Sequence, residues 1–119
     1  MTKIPTEHEE QKALITWFDM AFPAHKGRLF AVPNGAYKSR SAASHYMREG
    51  LRSGVPDLML PVARGGYHGL FIELKRQKGG VVSPVQRDWI EYLNAQGYQA
   101  VVCRGFDAAR EIIEQYLDQ

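Results

Sequence analysis

The sequence has little cysteine and no long apolar run. Its single cysteine, Cys103, among 119 residues excludes an internal disulfide. No apolar stretch approaches the ~18 residues of a membrane span and no basic-then-apolar leader opens the chain, so we expect a cytoplasmic protein without a membrane segment. Because Cys103 ends the apolar stretch "QAVVC" with no base identifiable beside it, we expect a small buried hydrophobe rather than a nucleophile.

Repeats, low-complexity tracts and zinc-binding patterns are absent as well. The four histidines are scattered without the spacing of metal ligands, which excludes a zinc finger. A chain of 119 residues with 45% apolar and 24% charged residues fits one globular domain rather than a disordered segment or two domains. We therefore expect residues 1–119 to form a single domain that carries its function on its surface.

Positive charge is concentrated in one part of the chain, although the net charge is only +2. Residues 24–55 contain six lysine and arginine side chains against one acid, an excess of five. A basic segment of this kind indicates a polyanionic partner such as a nucleic acid, and solvated surface cations are the alternative. The candidate phosphate-binding residues are Lys38, Arg40, Arg48 and Arg52.

The hydrophobic pattern predicts an α/β architecture with a mixed sheet. "TEHE" and "SPVQ" have the form of capping boxes, in which two side chains satisfy free backbone amides at a helix start. The predicted helices are 6–22, 41–50, 83–97 and one from about Asp107, and the predicted strands are 28–33, 57–62, 69–75 and 98–103. Since Pro61 would remove a ladder donor, we expect the second strand to lie at a sheet edge or to be interrupted there.

Two strands joined across Gly65-Gly66 bring ionisable side chains together. In an antiparallel pair, opposed positions have a constant sum, and a turn centred on these glycines pairs positions that sum to about 130 or 131. Asp57 and Glu73 sum to 130, which places their Cβ atoms roughly 4.5–5.5 Å apart on one face. Lys75, two positions beyond Glu73, shares that face. The spacing therefore predicts that two acids and one ammonium group converge.

Carboxylates this close repel each other, so we expect positive charge between them. Lys75 supplies one charge, and Mg²⁺ held through one or two carboxylates would supply two more. Taken alone, "IELK" is an ordinary polar strand and Pro-Asp an ordinary turn. Their joint placement across one glycine turn favours a metal site, although a bulge at Pro61 would shift the register.

Four motifs, in their order, resemble a known family. "PD" at 56–57 and "ELK" at 73–75 are similar to the PD-(D/E)xK nuclease motif. The resemblance is narrowed to the VRR-NUC (virus-type replication-repair nuclease) group by "PNG" at 33–35, "SGVPDL" at 53–58, "IELK" at 72–75 and "SPVQ" at 83–86. It implies a single-domain restriction-endonuclease-like α/β fold with a mixed central sheet flanked by helices, as in stand-alone phage and bacterial members.

The resemblance also implies a divalent metal, Mg²⁺ or Mn²⁺, held by Asp57, Glu73 and the main-chain carbonyl of Leu74. In the implied reaction the metal polarises a DNA phosphodiester and activates a water, while Lys75 orients that water and offsets charge on the phosphoryl oxygens. Stand-alone relatives look like homodimers that resolve four-way DNA junctions. We therefore expect a structure-selective endonuclease. The alternatives are a non-cleaving module that binds branched DNA and a nuclease acting on RNA.

Further site residues follow from the same resemblance. Glu10, on or beside the apolar stripe of the first helix, fits the acid that many superfamily members place there, with Glu7 and Glu9 competing for the role. Gln86 is either functional or only the capping residue that its spacing explains. Asn34 of "PNG" joins the candidate nucleic-acid-binding residues.

Overall fold

The computed structural model of the protein describes residues 3–33 and 40–119, apart from the side chains of residues 40–43. The helices are α1 (Glu7–Ala21), α2 (Arg40–Arg48), α3 (Pro84–Ala95) and α4 (Phe106–Leu117), and a 3-10 turn spans Pro23–His25. The strands are β1 (Phe30–Ala31), β2 (Leu58–Leu60), β3 (Leu70–Lys75) and β4 (Gln99–Arg104). None of the helices in the described residues is long and apolar enough to cross a membrane. The cytoplasmic location stays a prediction.

The four strands form one mixed sheet in the order β1-β2-β3-β4. The pairs β1/β2 and β2/β3 are antiparallel, whereas β3 and β4 are parallel. A parallel pair needs a long crossover connection, and α3 provides it between β3 and β4. The predicted α/β class and mixed sheet are confirmed.

The alternation of side chains along β3 separates two apolar clusters. Its even-numbered residues join the main core, which α1 and α4 complete with Leu14, Phe18, Ala109, Ile113 and Tyr116. Phe71 joins a smaller cluster with Leu93 of α3 and Ala100 of β4. Because residues two apart share a face, the odd-numbered residues of β3 lie on the α3 side of the sheet.

A two-residue turn at Gly65-Gly66 sets the register of the β2–β3 hairpin. Arg64 and Tyr67 form a bridge across it, and the glycines adopt φ values of 56° and 86°. Two successive positive φ angles match the twist of a hairpin and strongly favour glycine. The register pairs Leu58 with Ile72, positions that sum to 130, as predicted.

The strand ends differ from the sequence-based bounds. The strand predicted over 28–33 is only the two residues of β1, and β2 ends at Leu60. The sequence predicted that the strand containing Pro61 either lies at a sheet edge or is interrupted at the proline. The interruption is confirmed, and the edge position is wrong because β2 pairs with strands on both sides. Cys103 is buried in the main core, and burial raises the pKa of its thiol to about 11. Its predicted role as a small buried hydrophobe is confirmed.

Candidate active site

Asp57 and Glu73 face each other at the open end of the β2–β3 hairpin. Extending the register by one position beyond Leu58 and Ile72 pairs Asp57 with Glu73. The Glu73 carboxyl, when protonated, donates a hydrogen bond to Asp57, so both acids lie on the α3 side of the sheet. The backbone N–H of Leu74 donates to Asp57 Oδ2 at 2.8 Å, which fixes the orientation of that carboxylate.

Glu73 is held in an environment that disfavours its negative charge. Its relative exposure is 1%, and burial, followed by the hydrogen bond to Asp57 and repulsion from it, raises the Glu73 pKa to about 8. Lys75 opposes this rise in pKa and Glu7 adds to it. Among the described residues, Oε1 of Glu73 has no hydrogen-bond partner. A buried carboxylate oxygen without a partner is costly, so this atom can gain from a bound cation.

Lys75 places its ammonium group beside the acid pair. Its Nζ lies 3.7 Å from Oε2 of Glu73, and both side chains are almost fully buried. Lys75 follows Glu73 by two positions in β3, so the strand itself directs both side chains to one face. The predicted convergence of Asp57, Glu73 and Lys75 is confirmed. Whether these residues catalyse a reaction stays a prediction.

Gln86 makes contacts of two kinds, while its role in a reaction stays a prediction. Its Oε1 accepts a hydrogen bond from the backbone N–H of Ser83 at 2.8 Å and completes the capping box of α3. Its Nε2 donates to Oε2 of Glu73 at 3.3 Å. The sequence left a capping role and a site role as alternatives, and the contacts of Gln86 include both.

The three acids at the start of α1 occupy different surroundings. Glu9 completes the capping box with Thr6, which gives it a structural task. Glu7 is exposed, yet its charge contributes to the raised pKa of Glu73. The sequence favoured Glu10 but left Glu7 and Glu9 as competitors, because all three lie within one helical turn.

Glu10 is buried, with a relative exposure of 3%, as its position beside the apolar stripe predicted. Its Oε1 accepts hydrogen bonds from Gln77 Nε2 at 2.8 Å and from the backbone N–H of Phe106 at 3.2 Å. The N–H of Gly105 donates to the carbonyl of Lys75, so Glu10 lies at the same end of the sheet as Lys75. Gln77 is a partner that the sequence did not indicate, because the two residues are 67 positions apart.

The donor atoms of this site fit a hard divalent cation. The described residues contain no group of three His, Cys, Asp or Glu side chains that could hold a metal, so two carboxylates need a third donor. Leu74 can provide it: its N–H points to Asp57, and the N–H and C=O of a strand residue point to the same side. Together with the partnerless oxygen of Glu73, these oxygens suit Mg²⁺ or Mn²⁺.

The predicted nucleic-acid-binding residues are described only in part. Asn34 and Lys38 lie outside the described residues, and Arg40 begins α2 with a side chain that also lies outside them. Arg48 is exposed at the end of α2. Arg52 is exposed and donates to the carbonyls of Met47 and Leu51. These contacts still leave guanidinium donors for a ligand.

A cavity of about 600 Å³ adjoins the site on the side of α2. Arg52, Val55 and Trp89 contribute to its lining, and Val55 is two residues from Asp57. Trp89 follows Gln86 by three positions on α3, so both side chains lie on one helix face. No sequence motif marks Trp89 as a site residue, because its helical spacing is also that of a core residue.

Comparison with known proteins places the chain in a family. A model of the VRR-NUC domain matches residues 7–107. A solved structure described as a VRR_NUC domain protein is similar to this chain with a TM-score of 0.85 and 33% sequence identity, over 98% of this chain and 91% of the other. A search of the curated proteins found no match. The chain therefore belongs to the VRR-NUC family, a membership that implies a function of the nuclease type.

Proposed function

We propose that this protein is a metal-dependent, structure-selective DNA endonuclease that hydrolyses phosphodiester bonds. The observation that carries the proposal is the Asp57–Glu73 pair with Lys75 at 3.7 Å from Glu73. Surface strands rarely place two acids opposite each other, since the repulsion destabilises the sheet. An acid pair in which Glu73 is buried and Asp57 partly buried, with an adjacent ammonium group, fits cation-assisted phosphate chemistry.

Asp57, Glu73 and the carbonyl of Leu74 would hold the cation, Mg²⁺ or Mn²⁺. When bound, it supplies Lewis-acid polarisation of the phosphate and activation of a water. Glu73, whose pKa is raised to about 8, would have to release its proton in order to hold the cation. Cation binding and proton release are therefore coupled.

Lys75 and Gln86 prepare the site for the reaction. The Lys75 ammonium group is nearly buried, so it would interact strongly with negative charge that grows on the phosphoryl oxygens. Gln86 donates to Oε2 of Glu73 and so limits rotation of that carboxylate. Glu10, or Glu7 at the same helix end, would hold water molecules or a second cation.

We propose branched DNA, and in particular the four-way junction, as the substrate. A symmetric junction needs two cuts, and a two-fold dimer is the natural carrier of paired cuts. We therefore also propose that the protein acts as a homodimer. Asn34, Lys38, Arg40, Arg48 and Arg52 would contact phosphates and position the duplex without reading its bases.

Two other functions keep a place as alternatives: a module that binds branched DNA without cutting it, and a nuclease acting on RNA. The purified protein should be incubated with Mg²⁺ or Mn²⁺ and four labelled substrates: linear DNA, a flap, a four-way junction and RNA. We expect cleavage of DNA, strongest on the junction. Binding of the junction without any product would support the first alternative, and cleavage of RNA alone would support the second.

A further inference from the structure

The connection between β3 and α3 carries positive charge that the site described above does not use. It contains Arg76 and Lys78 and no acid, and Arg87 and Arg104 lie beside it. All four side chains are exposed. Within residues 3–33 and 40–119, none of the four forms an ion pair with a carboxylate. We call these four residues the β3–α3 cationic surface.

This surface adjoins Lys75 directly. Arg104 is the register partner of Lys75 across the parallel pair, so their side chains leave the sheet on the same face about 4.8 Å apart. The loop then folds back over the lysine: a Cβ added to Gly80 would lie 3.2 Å from Lys75 Cβ. Gly79, with φ of 88°, supplies the positive φ angle in this loop.

The three arginines of this surface donate hydrogen bonds to backbone carbonyls, which are neutral and therefore do not cancel the positive charges. Arg104 donates to the carbonyl of Gly80 at 2.7 Å, and Arg87 donates to that of Val82 at 3.3 Å. Arg76 donates to the carbonyl of Ile4 at 3.3 Å. A guanidinium group has five N–H donors, so each arginine keeps donors for a ligand.

We propose that the β3–α3 cationic surface binds the phosphates that flank the scissile phosphate of the nucleic acid. The inference rests on the proposed action on nucleic acid. A strand carries one phosphate per 3.4 Å of helix axis, so a phosphate at Lys75 has neighbours within reach of the adjoining cations. Arg52, which lines the cavity on the side of α2, would then contact the substrate from another side of the acid pair.

The test is the salt dependence of binding, measured without cleavage. Fluorescence anisotropy in EDTA gives the affinity for a labelled four-way junction and a labelled duplex over a series of salt concentrations. Lys78→Ala is the cleanest single variant, because Lys78 forms no side-chain hydrogen bond among the described residues. Arg76→Ala/Lys78→Ala removes two charges. Far-UV circular dichroism checks that each variant is folded.

Lys26→Ala is the matched control. Lys26 is exposed and follows the far end of α1, a helix of 15 residues whose start lies near the loop after β3. At 1.5 Å per residue, the helix separates the two ends by roughly 20 Å. Loss of the Lys26 charge changes the net charge of the protein as Lys78→Ala does, without touching the cationic surface or any of the residues to which phosphate contacts are assigned above.

We expect affinity to fall severalfold in Lys78→Ala, with a duplex slope of log K against log[salt] that is shallower by ~0.9 for each lost phosphate contact. Lys26→Ala should keep the slope of the unmodified protein. The inference is overturned if the double variant has an unchanged slope, if Lys26→Ala has the same effect, or if the unmodified protein binds no nucleic acid. Binding with the expected slopes but no cleavage in Mn²⁺ would support this surface and refute only the nuclease proposal.

Discussion

Nε2 of Gln86 lies 3.3 Å from Oε2 of Glu73, so the start of α3 is tied to the buried acid of β3. The same side chain caps the helix together with Ser83. A loss of stability and a loss of site geometry would therefore coincide in a Gln86 variant, and a second variant is needed to separate them.

Ser83→Ala and Gln86→Ala form that pair. Each removes one half of the capping box and should cost about 0.5–2 kcal/mol of unfolding free energy. Only Gln86→Ala also frees the Glu73 carboxylate, and we expect it to lower the cleavage rate about tenfold further, which corresponds to ~1.4 kcal/mol. Urea unfolding and single-turnover cleavage measure the two effects. Equal cleavage rates in the two variants would restrict Gln86 to capping.

Substitution of Lys75 tests the role of the buried ammonium group. Lys75→Ala should lower the cleavage rate roughly 10²–10³-fold, because the loss of a preorganised charge costs about 3–4 kcal/mol of transition-state stabilisation. Lys12→Ala, which removes an exposed lysine of α1, is the control and should leave the rate unchanged. Near-normal cleavage by a folded Lys75→Ala protein would exclude the role assigned to this residue.

The acids of α1 can be separated by comparing stability with activity. Glu10→Ala leaves the amide of Gln77 and the N–H of Phe106 without their acceptor, so we expect a loss of about 1–3 kcal/mol in unfolding free energy. Glu7 is exposed, and Glu7→Gln should change stability by less than about 0.5 kcal/mol.

Cleavage assays on Glu7→Gln and on Glu10→Gln, a more conservative change than Glu10→Ala, then identify the helix acid of the site. If Glu7 acts through its charge on Glu73, Glu7→Gln should lower the rate severalfold at constant stability. A rate that falls only in the more conservative Glu10→Gln variant would assign the role to Glu10, as the sequence predicted.

The stability of the metal-free protein should depend on pH through Glu73. The folded pKa of about 8 lies above the ordinary value of 4.5, so the folded state binds the proton more tightly than the unfolded state. The contribution of Glu73 is therefore fully present below pH 4.5 and is lost as the pH rises to about 8. Urea unfolding in EDTA at pH 5, 6.5 and 8 should show this fall, and Glu73→Gln should remove that part of it. A Glu73→Gln protein with the same pH profile as the unmodified one would contradict the raised pKa.

Local sequence signals predicted the parts of the fold that depend on local geometry. The Gly65-Gly66 turn fixed the register of the hairpin, and the position sum placed Asp57 opposite Glu73. The capping boxes at Thr6 and Ser83 marked the starts of α1 and α3 to within one residue.

The remainder depends on contacts between distant segments. The hydrogen bond between Gln77 and Glu10 joins the loop after β3 to α1, and no local sequence pattern encodes it. Within the described residues, β1 consists of Phe30 and Ala31, which pair with Met59 and Leu58, so its length depends on a partner strand that is distant in sequence. The β3–α3 cationic surface could not be predicted, because its cations are spread over 29 positions of sequence, from 76 to 104, and meet only in the fold.

Cleavage of a fluorescently labelled four-way junction in Mn²⁺, by the unmodified protein and by Asp57→Asn, tests the central claim most directly. We predict cleavage by the unmodified protein, no product in excess EDTA, and a rate at least ~10²-fold lower for Asp57→Asn at an unchanged circular dichroism spectrum. Equal rates for the two proteins, or product formed in EDTA, would contradict a cation site built on the Asp57–Glu73 pair.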